Sequence, residues 1–294
     1  MGKIKVAKLI LIALIGANLF AWLLVWNQSK SRFLEISFFD VGQGEAIFIE
    51  TPQGHQILVD GGPDFTILEK LKKEIPFWDK SIDVVILTHP EKDHLAGLIE
   101  VLKRYKIDFI FWTGVKRETE MWHLWKEVLE KEKKEGARVV LAKAGQKIVA
   151  SKASIFIIYP FEDLEGKLTK DSNNTSIVFK LVYGKNSFLF TGDIYQKVER
   201  ELSERNYNLL ANVLKVAHHG SNTSSGKDFI EEVLPLWAII SVGKDNAYHH
   251  PHLEVLKVLK EAGVNVLRTD EMGDIKFFSD GEHLNFITEK TPQI

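Results

Sequence analysis

The chain has 294 residues, 45% of them hydrophobic and 27% charged, and no cysteine. That balance suits a globular chain with a sizeable core, in one large domain or two small ones, and it excludes disulfides and thiolate metal ligands. The formal charge of −2 becomes −6 when residues 1–30, with four Lys and no acid, are set aside (34 basic against 40 acidic), so bulk charge cannot grip nucleic acid and any attraction for a phosphodiester must come from bound cations or a local patch.

"MGKIKVAK" carries three lysines and no acid, and "LILIALIGANLFAWLLVW" (9–26) follows with 18 uncharged residues, about the minimum that crosses a bilayer. Trp22 and Trp26 sit near its distal end, where indoles favour the interface, and the preceding lysines favour the cytoplasmic side. A cleaved signal peptide is the rival, but no small-x-small cleavage site follows. We therefore read residues 1–30 as an uncleaved transmembrane anchor with a short linker, and residues 31–294 as a domain on the extracytoplasmic side.

"FLEISFFDVG" (33–42) and "EAIFIETPQGHQILVDGG" (45–62) read as a strand meander split by Gly-rich turns. Helical spacing appears over 65–75, a buried strand over 81–90, a helix over 94–106 with Asp93 as its N-cap, a strand over 107–114 and a helix over 118–137. Strands follow at 137–142, 152–160, 174–184 and 186–193, then a helix (196–205), a strand (211–220), a helix from about 227, a strand (237–243), a helix (253–263) and short terminal strands. Two halves, each of several strands and then strand–helix units, predict two sheets packed face to face with helices outside: an α/β, four-layer αββα sandwich.

Three predicted strands end in polar, ligand-type residues. "VVILT" leads to His89, with Asp93 and His94 beyond; "SFLFTGD" ends at Asp193; "NVLKVAHHG" ends at His218 and His219. Taken alone, His89, Asp93 and His94 are equally a helix cap with two surface histidines, and "TGD" or "HHGS" a turn. Together, and after three apolar strands, they point to a crevice at strand carboxyl ends. Imidazole and carboxylate are ligands for a catalytic divalent ion, and a carboxylate such as Asp193 can bridge two ions.

The order "DVGQGEAIFIET", "LVDGG", "THPEKDHLAG", "TGD", "HHGS" resembles the metallo-β-lactamase fold superfamily. More narrowly, "FFDVGQGEA", an acid at position 91, "DSNNTSIVFKL", "LKVAHHGSNTSS" and "NAYHHPHLEVLKVLKEAGVNVLRTDEMGDI" resemble the hydrolase domain of the ComEC competence proteins, over about residues 33–280. The other ComEC parts, a polytopic channel and an oligonucleotide-binding domain, do not appear, so the expectation is a stand-alone, singly anchored relative.

The resemblance implies a metallo-β-lactamase fold and one or two divalent ions, Mn or Zn foremost. The superfamily's His-x-His-x-Asp-His pattern matches His89, Asp93 and His94, with Glu91 in the second place, and Asp193 and His218 complete the implied metal set. Asp93 and Asp193 are also the candidate catalytic residues, and which of His218 and His219 binds metal stays open. Glu91, a harder oxygen donor, would tilt the site towards Mn²⁺ or Mg²⁺. Implied substrate contacts are Asn173, Asn174, His219, Ser221, His250 and His252. Asp60 would orient a ligand from behind the metal. Asp40 and Gln43 either approach the cleft or form a plain turn. Asp270 either contacts the 218–252 loops or caps a turn. Trp122 and Trp125 either stack on bases or pack a helix, with packing favoured. His55 and His283 read as surface residues, and His249 has no role.

The function implied is a divalent-metal-dependent phosphodiesterase or nuclease acting on DNA, single-stranded by preference, outside the membrane and with DNA-uptake proteins as partners. The alternatives are a hydrolase of a lactone, nucleotide or cell-wall phosphodiester, and a non-catalytic binding subunit.

Overall fold

The computed structural model describes residues 2–29 and 33–290. The N-terminal apolar run lies within one helix, α1 (Gly2–Ser29). Its Ile4–Leu23 stretch has 20 residues of mean hydropathy 2.1, none of it buried, and is long and apolar enough to cross a membrane; about 20 residues at a 1.5 Å rise match a ~30 Å hydrocarbon layer. The side chain of Trp26 and the linker residues 30–32 lie outside the described residues.

Two mixed sheets form the body of the chain. The first contains β1 (Leu34–Phe38), β2 (Ile47–Glu50), β3 (Gln56–Val59), β4 (Ser81–Ile86), β5 (Lys106–Trp112) and β6 (Arg138–Leu141) in sequence order. The second contains β7 (Lys147–Ala150), β8 (Ala153–Tyr159), β9 (Val178–Tyr183), β10 (Asn186–Phe190), β11 (Val213–Lys215), β12 (Trp237–Ile240) and β13 (Asn265–Arg268), also in order. The terminal strands β14 (Ile275–Ser279) and β15 (Leu284–Thr288) return to the first sheet, where β14 pairs antiparallel with β1.

Alternation along the strands explains the layering. In β1 and β2, Ile36, Phe38, Ile47 and Ile49 face the second sheet, while Phe48 faces outward under helices. The inter-sheet core is aromatic: Phe190 stacks on Phe179 at 4.5 Å and on Phe38 at 6.1 Å between centroids. Helices α2 (Thr66–Glu74), α3 (Lys92–Leu102) and α4 (Glu120–Lys134) cover the outer face of the first sheet. Helices α5 (Gln196–Glu204), α6 (Lys227–Val233) and α7 (Leu253–Glu261) cover that of the second, and α8 (Thr269–Met272) is a single turn between β13 and β14. The expected αββα sandwich is the one observed.

Some boundaries differ from the sequence reading. Helix α3 begins at Lys92 with Glu91 at the cap position, so Asp93 lies inside the first turn and its carboxylate is free to turn elsewhere. The β7 strand was not anticipated; its two-residue turn to β8 and its lysine mask the alternation. Trp125 is fully buried and Trp122 donates its indole N–H to the Val115 carbonyl at 2.9 Å, so the packing role holds for both.

One backbone contact fixes α3. The Gly61 N–H donates to the His94 carbonyl (2.8 Å), Gly97 N–H to Gly62 carbonyl (3.0 Å) and Glu45 N–H to Asp93 carbonyl (3.1 Å). A Cβ on Gly97 would lie 1.8 Å from the Gly61 carbonyl oxygen, so only glycine lets the helix sit on the loop after β3. Alanine normally gains ~1 kcal/mol over glycine inside a helix. We expect Gly97→Ala instead to lose about 1–3 kcal/mol, the usual cost of overpacking; a urea midpoint equal to or above that of the parent chain would refute the lock.

Candidate metal centre

The site gathers at the carboxyl ends of β3, β4, β10 and β11. Asp60 follows β3 in a left-handed conformation (φ 55°). Its carboxylate accepts the Thr88 N–H at 2.8 Å and the Thr88 hydroxyl at 2.6 Å, and lies 2.7 Å from His94 Nδ1. With Nδ1 committed to Asp60, His94 points Nε2 at Asp193 Oδ2, 3.2 Å away. His89 is oriented through its Nδ1, 3.0 Å from the Thr88 hydroxyl, leaving Nε2 buried, without a hydrogen bond and 3.9 Å from the same Asp193 oxygen.

The adjacent histidines 218 and 219 both have positive φ, 50° and 54°, which sends their side chains in different directions. His219 donates Nδ1–H to the Ser241 carbonyl at 2.8 Å and places Nε2 3.2 Å from Asp93 and 3.3 Å from Asp193. His218 sits at the cavity wall, 3.2 Å from Asn173 Nδ2 and 3.1 Å from the Thr223 hydroxyl. The structure thus brings His219, rather than the expected His218, to Asp93, His94 and Asp193, whose ligand atoms lie with its own within 4.8 Å of one another.

These donors fit a divalent cation. Three imidazoles and two carboxylates converge, and His89 Nε2 and His219 Nε2 are buried ligand atoms with no hydrogen-bond partner, an arrangement that calls for an ion. The field has the right sign. Burial opposes charge on His219, yet Asp193 and Asp93 raise it to about 9; burial likewise opposes charge on His94, but Asp193, Asp60 and Asp93 hold it well above the usual imidazole range. Burial and then His94 push His89 well below it.

Two charged residues beneath the cluster escaped the sequence reading. Lys215 and Glu45 are fully buried and ion-paired, and Lys215 Nζ also lies 3.6 Å from Asp193 Oδ1 and donates to the Gly192 carbonyl at 3.2 Å. The signal was present: a lysine inside an apolar strand run, and a glutamate between a Gly-rich turn and the apolar start of β2.

Several expected residues lie elsewhere. Glu91 does not enter the cluster: Oε2 binds Arg117 at 2.9 Å and Oε1 accepts the Ser172 hydroxyl at 2.6 Å, because a nearby guanidinium outcompetes a more distant site for the carboxylate. The tilt towards harder metals drawn from Glu91 therefore lapses. Asp40 caps its own turn through Gly42 N–H (3.2 Å) and faces Lys290 at 3.7 Å. Asn174 spends its side-chain carbonyl on Tyr195 N–H, Ser221 its hydroxyl on Thr223, and His252 its Nδ1 on Asn222 N–H. Asp270 pairs with Arg268. His55 and His283 are half-buried or exposed beside Asp83 and Asp280.

An open polar cavity of about 270 Å³ leads to the cluster; Glu91, Arg117, Lys170, Asn173, His218 and His250 line it, with Gln43 and Tyr248 at its edge. Arg117 donates to the Lys170 carbonyl as well as to Glu91, and Asp171 also lines the cavity, so two basic and two acidic side chains share the rim above the cluster. Burial, then His219, His218 and His252, lowers His250 to about 4, and its Nδ1 is buried without a hydrogen bond.

The family pattern described as the metallo-beta-lactamase superfamily matches residues 39–243, and the chain belongs to that superfamily. Its fold is similar to the metallo-beta-lactamase fold protein YhfI from Bacillus subtilis, at 14% identity and a TM-score of 0.54 over 84% of this chain and 100% of that one. In sequence it is 32% identical to ComE operon protein 3 of Bacillus subtilis (strain 168) over 83% of this chain and 33% of the relative. It is also 29% identical to competence protein ComA of Neisseria gonorrhoeae over 82% of this chain and 32% of that one. The chain therefore spans about a third of the length of these curated relatives. It is homologous to competence proteins of the ComEC type, and its buried His/Asp cluster is consistent with the metal binding typical of this superfamily's fold.

Two outcomes follow from this geometry. Lys215→Met strands the Glu45 carboxylate in the interior, so at constant metal content it should cost about 3–5 kcal/mol, and the double variant Glu45→Gln, Lys215→Met should recover most of that. Equal stability of the single variant and the parent in urea would show that the pair carries no such balance. Second, burial pushes Glu199 up to about 7, against the Gly226 and Ser225 N–H groups that bond it. A folded pKa above the unfolded 4.5 means the fold holds this proton tightly, so its contribution is complete below about 4.5 and fades as pH rises through 7, by about 3 kcal/mol in all. Glu199→Gln should flatten that slope in melting temperature between pH 5 and 8; an unaltered slope rules Glu199 out as its source.

Proposed function

We propose that this protein is a divalent-metal-dependent phosphodiesterase that cleaves DNA, single-stranded by preference, on the extracytoplasmic side of the membrane. The carrying observation is the buried His/Asp cluster at the floor of one polar cavity: a ligand set for a cation, beneath a rim where Arg117 and Lys170 stand beside Glu91 and Asp171. Homology to a protein named for competence supports a DNA context. The three lysines before the apolar stretch of α1 support the outward orientation.

His89, His94, His219, Asp93 and Asp193 would hold one or two ions, Mn²⁺ or Zn²⁺ by donor type. When bound, such an ion supplies Lewis acidity and makes water ionisable near neutral pH. Asp60 and the Ser241 carbonyl lock the two imidazoles they touch into the tautomers that present Nε2. Arg117, whose Nη groups are held by Glu91 and the Lys170 carbonyl, lines the cavity that a phosphodiester would enter. His250, neutral at pH 7, has a ring nitrogen without a partner that would donate a hydrogen bond to the reacting phosphoryl group, while Asn173 is held by the Tyr195 hydroxyl and His218. DNA-uptake proteins are the partners this reading predicts.

The acidic balance of residues 31–294 favours a second reading, a hydrolase of a nucleotide or other small phosphodiester. The test incubates the full chain in detergent with 5′-labelled single-stranded DNA and Mn²⁺, Zn²⁺ or Mg²⁺. Cleavage is expected, with Asp193→Ala at background. His219→Ala should lose metal affinity by ~10–100-fold, read by elemental analysis, while His218→Ala keeps its metal. Arg117→Ala should raise KM several-fold with kcat little changed. No DNA cleavage above the Asp193→Ala background with any of the three metals would sink the nuclease reading; hydrolysis of small chromogenic phosphodiesters alone would establish the second.

A further inference from the structure

The strand registers define two ends of the sandwich. Glu35 pairs with Glu50, Glu50 with Gln56, Ile57 with Val84 and Ser81 with Lys106, so the beginnings of β1, β3, β4 and β5 lie together at one end. Asp60 and His89 follow the other ends of β3 and β4, so the metal centre is at the far end. The chain enters from α1 at the near end: only residues 30–33 separate Ser29 from Leu34, a tether of about 15 Å at full stretch.

Beside this entry stands an exposed aromatic pair. Phe77 is 82% and Trp78 47% exposed, and they pack edge to face at 4.7 Å in the segment that leads into β4. With Trp22 and Leu23 of α1 they line one apolar hollow. Trp22 and Leu23 lie about one helical turn before the end of the apolar run 9–26, a rise of roughly 5 Å, so they stand close to the depth at which hydrocarbon gives way to headgroups. The aromatic pair, which shares a hollow with them, is therefore near that boundary. Lys80 follows it, and Lys106, whose N–H donates to the Lys80 carbonyl, stands next to Lys80; both are exposed. Lys80 shares a neighbouring hollow with Lys72 and Arg104. The neighbouring acid, Asp79, is turned inward to Gln56 Nε2 (3.0 Å) and to the Ser81 hydroxyl (2.8 Å). Leu234 and Leu236, 67% and 58% exposed, precede β12 at the same end of the second sheet.

We propose that the Phe77–Trp78 segment is a second membrane contact: it inserts into the headgroup boundary of the bilayer that α1 crosses, and the metal centre is thereby held facing away from the membrane. Aromatic side chains partition to that boundary, and flanking lysine and arginine draw it to anionic lipid. A stable contact of this kind needs two signals, here the anchor and the aromatic–basic edge. This inference rests on the reading of α1 as a membrane anchor.

The absence of native cysteine gives a clean test. Single variants Phe77→Cys, Gly16→Cys and Leu168→Cys of the full chain, each carrying an environment-sensitive fluorophore, are reconstituted alone into phosphatidylcholine–phosphatidylglycerol vesicles. Leu168 is 61% exposed, two residues before Lys170 of the metal cavity, and Gly16 lies mid-span with open space around it. We expect the label at 16 to be quenched by deep lipid nitroxides and that at 77 by shallow ones, with aqueous iodide reaching 77 several-fold less than 168. A label at 16 in the bilayer with one at 77 as open to iodide as at 168 overturns the docking while the anchor stands, and would leave a protein partner as the occupant of the aromatic edge. A label at 16 outside the lipid overturns both.

Discussion

The rest of the site is arranged around one buried carboxylate. Asp193 is 2% exposed, and an isolated carboxylate in such a place costs several kcal/mol. The chain answers with His94 and His219 on one oxygen and Lys215 behind the other. Burial works against ionisation, but His219, His94 and Lys215 together hold Asp193 well below the usual carboxylate range. Lys215 then needs Glu45, because a lone buried ammonium is no cheaper than a lone carboxylate. The ion pair beneath the site and the imidazoles above it solve the same electrostatic problem, and the result is a pocket whose remaining imbalance favours a metal cation.

Delivery of these groups depends more on backbone than on side-chain packing. The α3 helix touches the loop after β3 through main-chain hydrogen bonds, and Gly61 and Gly97 permit that approach. Asp60, His218 and His219 all adopt left-handed conformations, each at a cost of order 1–3 kcal/mol for a non-glycine residue. That strain separates two neighbouring imidazoles, one turned to the metal cluster and one to the cavity wall. The fold supplies the stability that holds the strain: an aromatic inter-sheet core and helices on both outer faces.

This explains which parts were legible in the sequence. The αββα layering was readable because strand alternation and helical spacing are local, and both sheets keep sequence order except where β14 and β15 return to β1. The convergence of His89, Asp93, His94 and Asp193 was readable because each follows an apolar strand. The choice between His218 and His219 was not, since it depends on backbone dihedrals and on the Ser241 carbonyl, 22 residues on. Glu91 misled for a related reason. Its spacing matches a ligand position, but its partner Arg117 is 26 residues away in sequence, and nothing local announces that pairing. The Glu45–Lys215 pair spans 170 positions (215 − 45) and shows in sequence only as two charges in or beside apolar runs.

The diversion of Glu91 changes the character of the site. As a ligand it would add negative charge to the floor of the cavity; paired with Arg117 it fixes a guanidinium at the rim instead. Arg117 is largely buried and held by Glu91 and the Lys170 carbonyl, so little side-chain freedom is lost on binding an anion. A chain with an acidic balance in this way keeps two basic side chains, each in company with an acid, at the rim of a cation-binding floor. The charge pattern that makes Asp193 tolerable in the interior and the charge pattern that would steer a phosphodiester to it are thus separate, the first built from Lys215 and Glu45 below, the second from Arg117 and Glu91 above.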